Sequence, residues 1–203
     1  MAPECDETVD TRNNQAAAAL VDPGGSRRLA LKPAIVARSD ARFSPCGHYR
    51  YWLSRAWGEA GDTPKVLWLM LNPSTADLTV NDPTVHRCQN YAWRWGYAGY
   101  TVVNIFALRA TDKKQLARAD DPVGPENDER IKQALIDTCA AGGIVVCGWG
   151  ASAPKRGRVV RTMIAELRCP VHALDWSQSG APKHPLYLRR DLRPQPWEPL
   201  GLA

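Results

Sequence analysis

The chain has no apolar run approaching the ~20 residues that a membrane-spanning helix requires, so the sequence offers no such span. A secretory leader is not expected either. The first ten residues, MAPECDETVD, are acidic and polar where a leader is basic and then apolar. The expectation is a cytoplasmic protein with no membrane partner. No internal repeat is visible. Metal-ligand spacing is absent too. CGH (46–48) and HRC (86–88) could offer two Cys and two His to a zinc ion. Zinc pairs, however, commonly have about two to four residues between ligands, and each of these segments has one. No metal and no cofactor is expected. The six cysteines (Cys5, Cys46, Cys88, Cys139, Cys147 and Cys169) are scattered and read as reduced thiols; Cys139 and Cys147 sit in or beside apolar segments, where they would pack.

What is present is ordinary bulk with uneven charge. The 203 residues are 44% hydrophobic and 23% charged, enough for one globular domain and a tail. The net charge of +5 is mild, but residues 151–193 hold nine basic residues against three acidic ones. Within that stretch Lys155, Arg156, Arg158, Lys183 and Arg189 are candidate phosphate contacts. A solvated helix face would produce the same pattern.

Residues 1–30 show no sustained period and read as a disordered tail, leaving 31–203 as a single domain. AIVAR (34–38) and HYRYWL (48–53) read as an N-terminal hairpin across SDARFSPCG; YRYWLSRAWG could alternatively begin a short helix. From residue 65 strand and helix alternate. KVLWLML, YTVVNIFAL, GIVVCGWG and PVHALDW are apolar runs of strand length, as in strands buried on both faces. Between them lie DPTVHRCQNYAWRWG, GPENDERIKQALIDTCAAGG and PKRGRVVRTMIAEL. The first has Asp82 as N-cap, Pro83 as first helical residue and Gly96 as stop. This order predicts an α/β three-layer sandwich whose central sheet has four mainly parallel strands, with the hairpin added.

In such a sheet ligands bind beyond the carboxyl ends of the strands. Those ends here run into LNPSTAD, NIFALRATD, CGWGAS and DWSQSGAPKHP, four polar, Gly- or Pro-rich loops that would share one rim. Asn72 ends the first strand with its backbone biased to extension by Pro73. Its amide can donate and accept but cannot take a proton at neutral pH. Asn104 interrupts an apolar strand, where an unbonded amide would cost roughly 1–3 kcal/mol. His184 precedes a proline inside the basic region, where it could donate to an anion.

The order LNPS, VVNIFALRATDKKQL, VVCGWGASAPKRG, then His-Pro resembles the uracil-DNA glycosylase superfamily over about residues 65–188. That resemblance implies an N-glycosidic hydrolase acting on a base rotated out of DNA. It implies that Asn72 orients the attacking water, Asn104 reads the base, and His184 stabilises negative charge on the departing pyrimidine. Phe106, Trp149 or Tyr91 could stack on the base, since Val85 and His86 stand where the superfamily has a stacking Phe. Met70 replaces the superfamily's first-motif Gly, and LYL follows His-Pro in place of Ser-Pro-x-Ser. The chain also resembles the DUF1643 family. It carries that family's NPS-x-A-D, D-P-T, R-C, N-x-F-A-x-R-A-T and P-V-G-x-x-N-D. Ser74, Asp77, Asp82, Thr84, His86 and Arg87 are then candidates for a substrate particular to this branch. The expected partner is DNA or a nucleotide. The alternatives are a nucleotide or modified-nucleoside enzyme or binder on the same fold, or a non-catalytic interaction module.

Overall fold

The computed structural model describes residues 27–31, 36–57 and 65–198. Most of the expected tail, and part of the first expected hairpin strand, lie outside them. Among the described residues the chain is α/β, with nine strands and four α-helices. The strands are β1 (Leu29–Ala30), β2 (Arg38–Phe43), β3 (Arg50–Ala56), β4 (Val66–Met70), β5 (Val80–Asn81), β6 (Gly99–Asn104), β7 (Ile144–Cys147), β8 (Val171–Ala173) and β9 (Gln195–Pro196). The helices are α1 (Pro83–Arg94), α2 (Lys113–Arg118), α3 (Asn127–Ala140) and α4 (Pro154–Glu166).

The main sheet is mixed and seven-stranded, in the order β2-β3-β6-β4-β7-β8-β9, rather than the four-stranded sheet expected. β6, β4, β7 and β8 run parallel at its centre. The β2–β3 hairpin continues it antiparallel on one side, and β9 adds antiparallel on the other. β9 was not anticipated because two residues ending in proline carry no strand period. The hairpin exists in a shifted form. SDARF, expected in the connection, is strand, and RYWLSRA is strand rather than helix. Leu29 and Ala30, assigned to the tail, pair antiparallel with Asn81 and Val80.

The apolar runs explain the layering. In β4, Val66, Trp68 and Met70 pack with Val85, Cys88, Tyr91 and Ala92 of α1 on one face of the sheet. Leu67 and Leu69 pack with Ile131 and Leu135 of α3 and Val160 and Ile164 of α4 on the other. A strand covered on both faces has no polar side to present, hence the unbroken VLWLM, all buried. Trp68, fully buried, lies against the rings of Tyr91 and Trp95; truncating such a residue to Ala costs roughly 3–5 kcal/mol. α1 starts as expected. Asp82 accepts from the Val85 amide at 2.8 Å, Pro83 opens the first turn, and Gly96 ends the helix at φ +85°.

Cys139 and Cys169 form a disulfide joining the end of α3 to the segment before β8, and Cys46 is disulfide-bonded too, which corrects the reduced-thiol reading for these three. Folding brings Cys139 and Cys169 together from 30 residues apart, a proximity that spacing alone does not reveal. Cys88 and Cys147 are free and buried. Cys88 lies in the α1-side core and Cys46 packs beside Tyr49 and Tyr51, so the Cys/His segments once weighed for zinc belong to separate clusters. No described helix is long and apolar enough to cross a membrane.

Candidate functional site

The carboxyl ends of β4, β6 and β7 open into a cavity of about 710 Å³. Register places this mouth: Met70 pairs with Asn104 at the last position of β4 and β6, so the loops that follow leave the sheet side by side. Asn72, Asn104 and His184 all line this cavity. So do Trp149, Ser74, Asp82, Thr84 and Lys183.

Each of the three central side chains has part of its hydrogen-bonding capacity fixed by the fold. Asn72 Nδ2 donates to the carbonyls of Ala110 (2.7 Å) and Pro73 (2.9 Å). Two carbonyl partners define which way the amide faces. They spend both its N–H groups and leave Oδ1 as an acceptor. The Ala110 amide in turn donates to Pro73 O, so Asn72 locks the loop after β4 to the loop after β6. Asn104 is buried, and its Oδ1 accepts from the Arg50 guanidinium at 3.3 Å. That contact leaves the Asn104 Nδ2 hydrogens as its donors. His184 precedes the 3-10 turn Pro185–Tyr187, where its Nδ1 accepts from the Leu186 amide at 3.3 Å. With Nδ1 an acceptor, the neutral ring carries its proton on Nε2.

The loop bearing His184 is held in place from two sides. Arg87 of α1 donates to Leu188 O at 2.8 Å, and the Tyr91 hydroxyl donates to Arg189 O. On the other side Gly148, just past β7, meets this loop so closely that a Cβ would lie 2.9 Å from Pro185 Cδ and 3.1 Å from Met70 Sδ. Only glycine permits that approach.

Several expected site residues serve the fold instead. Asp77 closes its own turn, accepting from the Thr79 and Val80 amides and from Arg28. Arg87 braces the His184 loop as described. His86 is exposed and borders a different groove, with Leu29 and Trp93. Phe106 packs in the core on the α3–α4 side and does not line the cavity. Tyr91 is likewise core. Trp149 does line it, with its ring edge against Trp197. Ser74, Asp82 and Thr84 are at the cavity as anticipated, although Asp82 also caps α1.

The expected phosphate contacts divide. Arg156 is drawn inward: its Nε donates to Ile105 O at 2.7 Å and its guanidinium pairs with Asp128 of α3. Lys183 pairs with Asp175 at 2.7 Å, and Arg189 pairs with Asp191. The pairing with Lys183 holds the Asp175 carboxyl below its usual range. Lys155 and Arg158 are exposed and enter no described ion pair.

One cavity residue was not anticipated. Arg50 begins β3 between Tyr49 and Tyr51, and all three are buried. Its guanidinium donates to Ala76 O at 2.8 Å and to Asn104 Oδ1, and it lines the cavity. Burial lowers it to about 10, still protonated at neutral pH. β3 lies inside the sheet between β2 and β6, a placement that the sequence alone does not reveal.

The described residues form an α/β protein with a cavity at the carboxyl ends of parallel strands. The chain belongs to the DUF1643 family: the model of that family, described as "Protein of unknown function (DUF1643)", matches residues 50–186. No curated protein and no solved structure matches the chain. The matched span contains Arg50, Asn72, Asn104 and His184, all at the cavity.

Proposed function

We propose that this cavity receives a nucleobase rotated out of DNA and that the protein hydrolyses its N-glycosidic bond. One observation carries the reading: Asn72, Asn104 and His184 line one cavity. The resemblance of the four ordered motifs to the uracil-DNA glycosylase superfamily supports the same assignment.

Departure of the base leaves an electron-poor sugar and an anionic ring. Asn104 Nδ2 donates to a carbonyl on the base edge, favouring a keto base over one presenting an amino group there. His184 Nε2–H donates to the ring oxygen on which negative charge develops, which is electrostatic catalysis by a fixed neutral donor. Asn72 Oδ1 accepts a hydrogen bond from the attacking water and so holds its oxygen toward C1′. The C1′–N bond breaks, the water oxygen bonds C1′, and the surplus water proton passes to solvent. No strong base is needed because the sugar cation is so electrophilic. Trp149 offers its ring as a wall for the base. Lys155 and Arg158 are the phosphate contacts in this reading.

A second reading, a nucleotide or modified-nucleoside enzyme or binder, is favoured by a specific observation: Arg156, Lys183 and Arg189 are already ion-paired within the chain. Fewer cations then remain for a duplex backbone. Incubation with oligonucleotides carrying uracil, hydroxymethyluracil or hypoxanthine tests the first reading by release of free base. His184→Ala is expected to slow release by roughly 10²–10³-fold, the usual cost of losing one such donor. Release from free nucleosides or nucleotides alone moves the assignment to the second reading, and no release from any of them together with no binding of nucleosides or nucleotides overturns both.

A further inference from the structure

Two arginines are buried in adjacent parts of this fold, and they are served very differently. Arg55 is saturated. Its Nε donates to Asn81, and its two terminal nitrogens donate to Ser39 Oγ and to the carbonyls of Ser54, Asp77 and Val80. It does not line the cavity. Arg50 is as deeply buried, yet uses two of the five N–H donors a guanidinium carries. Its Nε is buried without a partner. Ser74 Oγ is also buried without a partner, and both residues line the cavity.

The charge balance points the same way. The described buried residues include three cations, Arg50, Arg55 and Arg109, and one carboxylate, Asp82. Asp82 raises the basicity of Arg50 through space, while Arg55 and Arg109 oppose it. No described carboxylate lies within ion-pair distance of the Arg50 guanidinium. A cation taken out of water without a close counter-charge is costly unless its donors are satisfied; those of Arg55 are, and Arg50 has donors left over. The cavity, at about 710 Å³, is also larger than a bare pyrimidine ring requires.

We infer that the Arg50–Ser74 end of the cavity is an oxyanion subsite, which takes a carboxylate or phosphate carried by the bound base or nucleotide. The inference rests on the reading of this cavity as a nucleobase site and names the class of compound it selects. The planar guanidinium offers a fork of donors matched to a two-oxygen anion, and the Ser74 hydroxyl adds one more.

Calorimetric titration of the full chain with uracil, 5-carboxyuracil and uridine 5′-monophosphate tests it. One of the two anionic compounds is expected to bind roughly tenfold tighter than uracil, and which one does identifies whether the anion sits on the ring or is the nucleotide phosphate. Ser74→Ala is the informative variant, because its hydroxyl bonds nothing in the protein. It is expected to keep the wild-type melting temperature and uracil affinity while losing several-fold in affinity for the preferred anion. Arg50→Met is expected to abolish the preference; if it does not fold, Ser74→Ala still decides. Uracil binding with no anion preference overturns the subsite and spares the base site. A preference untouched by Ser74→Ala also overturns it. Inorganic phosphate raising the melting temperature of the wild type but not of Ser74→Ala, with no pyrimidine bound, supports the subsite and ends the base reading.

Discussion

Replacing Asn72 with Asp changes one atom and inverts its chemistry. Asn72 Nδ2 lies 2.7 Å from Ala110 O and 2.9 Å from Pro73 O, donating to both. An ionised carboxylate there would set an oxygen against two carbonyl oxygens. Two lost hydrogen bonds cost about 1 kcal/mol each, and the repulsion adds to them, so Asn72→Asp should destabilise by about 2–4 kcal/mol. For a chain of this size that lowers the melting temperature by on the order of 5–10 °C. The loss should depend on pH. A carboxyl facing carbonyls ionises less readily folded than unfolded, so its folded pKa is raised. The penalty is complete above that raised pKa and fades as pH falls toward the unfolded value near ~3.9. Urea unfolding of wild type, Asn72→Ala and Asn72→Asp at pH 7 and pH 4.5 measures both effects. Asn72→Asp should be the least stable at pH 7 and close part of the gap at pH 4.5. An Asn72→Asp protein as stable as wild type at pH 7, or a gap that ignores pH, would refute the donor assignment.

Other expectations follow from the same contacts. Gly148→Ala would push a Cβ against Pro185 Cδ at 2.9 Å; destabilisation of about 1–3 kcal/mol by chemical denaturation, with weakened ligand binding from the displaced His184 loop, is expected. The disulfide between Cys139 and Cys169 closes a loop of 30 residues, so Cys139→Ser with Cys169→Ser should cost about 3–4 kcal/mol in the chain-entropy account; urea unfolding of the double variant against wild type, both without reductant, measures it. Cys88 and Cys147 are buried and burial raises both thiols. Native protein at pH 8 should leave both unmodified by an alkylating reagent, while denatured protein exposes them to mass-spectrometric detection.

The parts of this molecule that were legible are those where one physical cause dominates. Strands β4, β6, β7 and β8 announced themselves as dry runs because helices cover both faces of the sheet. α1 was legible because Asp82, Pro83 and Gly96 each have a terminal role. β2 was hidden: it is an edge strand, and RSDARF looks like a turn until Ala41 and Phe43 are seen buried and the Asp40 carboxylate accepts from the Ala41 amide. Arg156 read as a surface cation because sequence gives no hint that Asp128 and Ile105 O stand beside it. Asn72, Asn104 and His184 could be picked out from their strand-end or pre-proline positions. Arg50 could not, because its burial depends on the hairpin extending the sheet. Which hydrogen-bonding capacity each amide has left is a tertiary property that only the folded chain specifies.

The claim beneath the rest is that a flat keto heterocycle fits between these side chains. A crystal structure of the protein soaked with free uracil tests it most directly. The ring should lie in the cavity against Trp149, with one carbonyl accepting from Asn104 Nδ2 and another from His184 Nε2. Uracil bound elsewhere, or bound there with neither contact made, would contradict it.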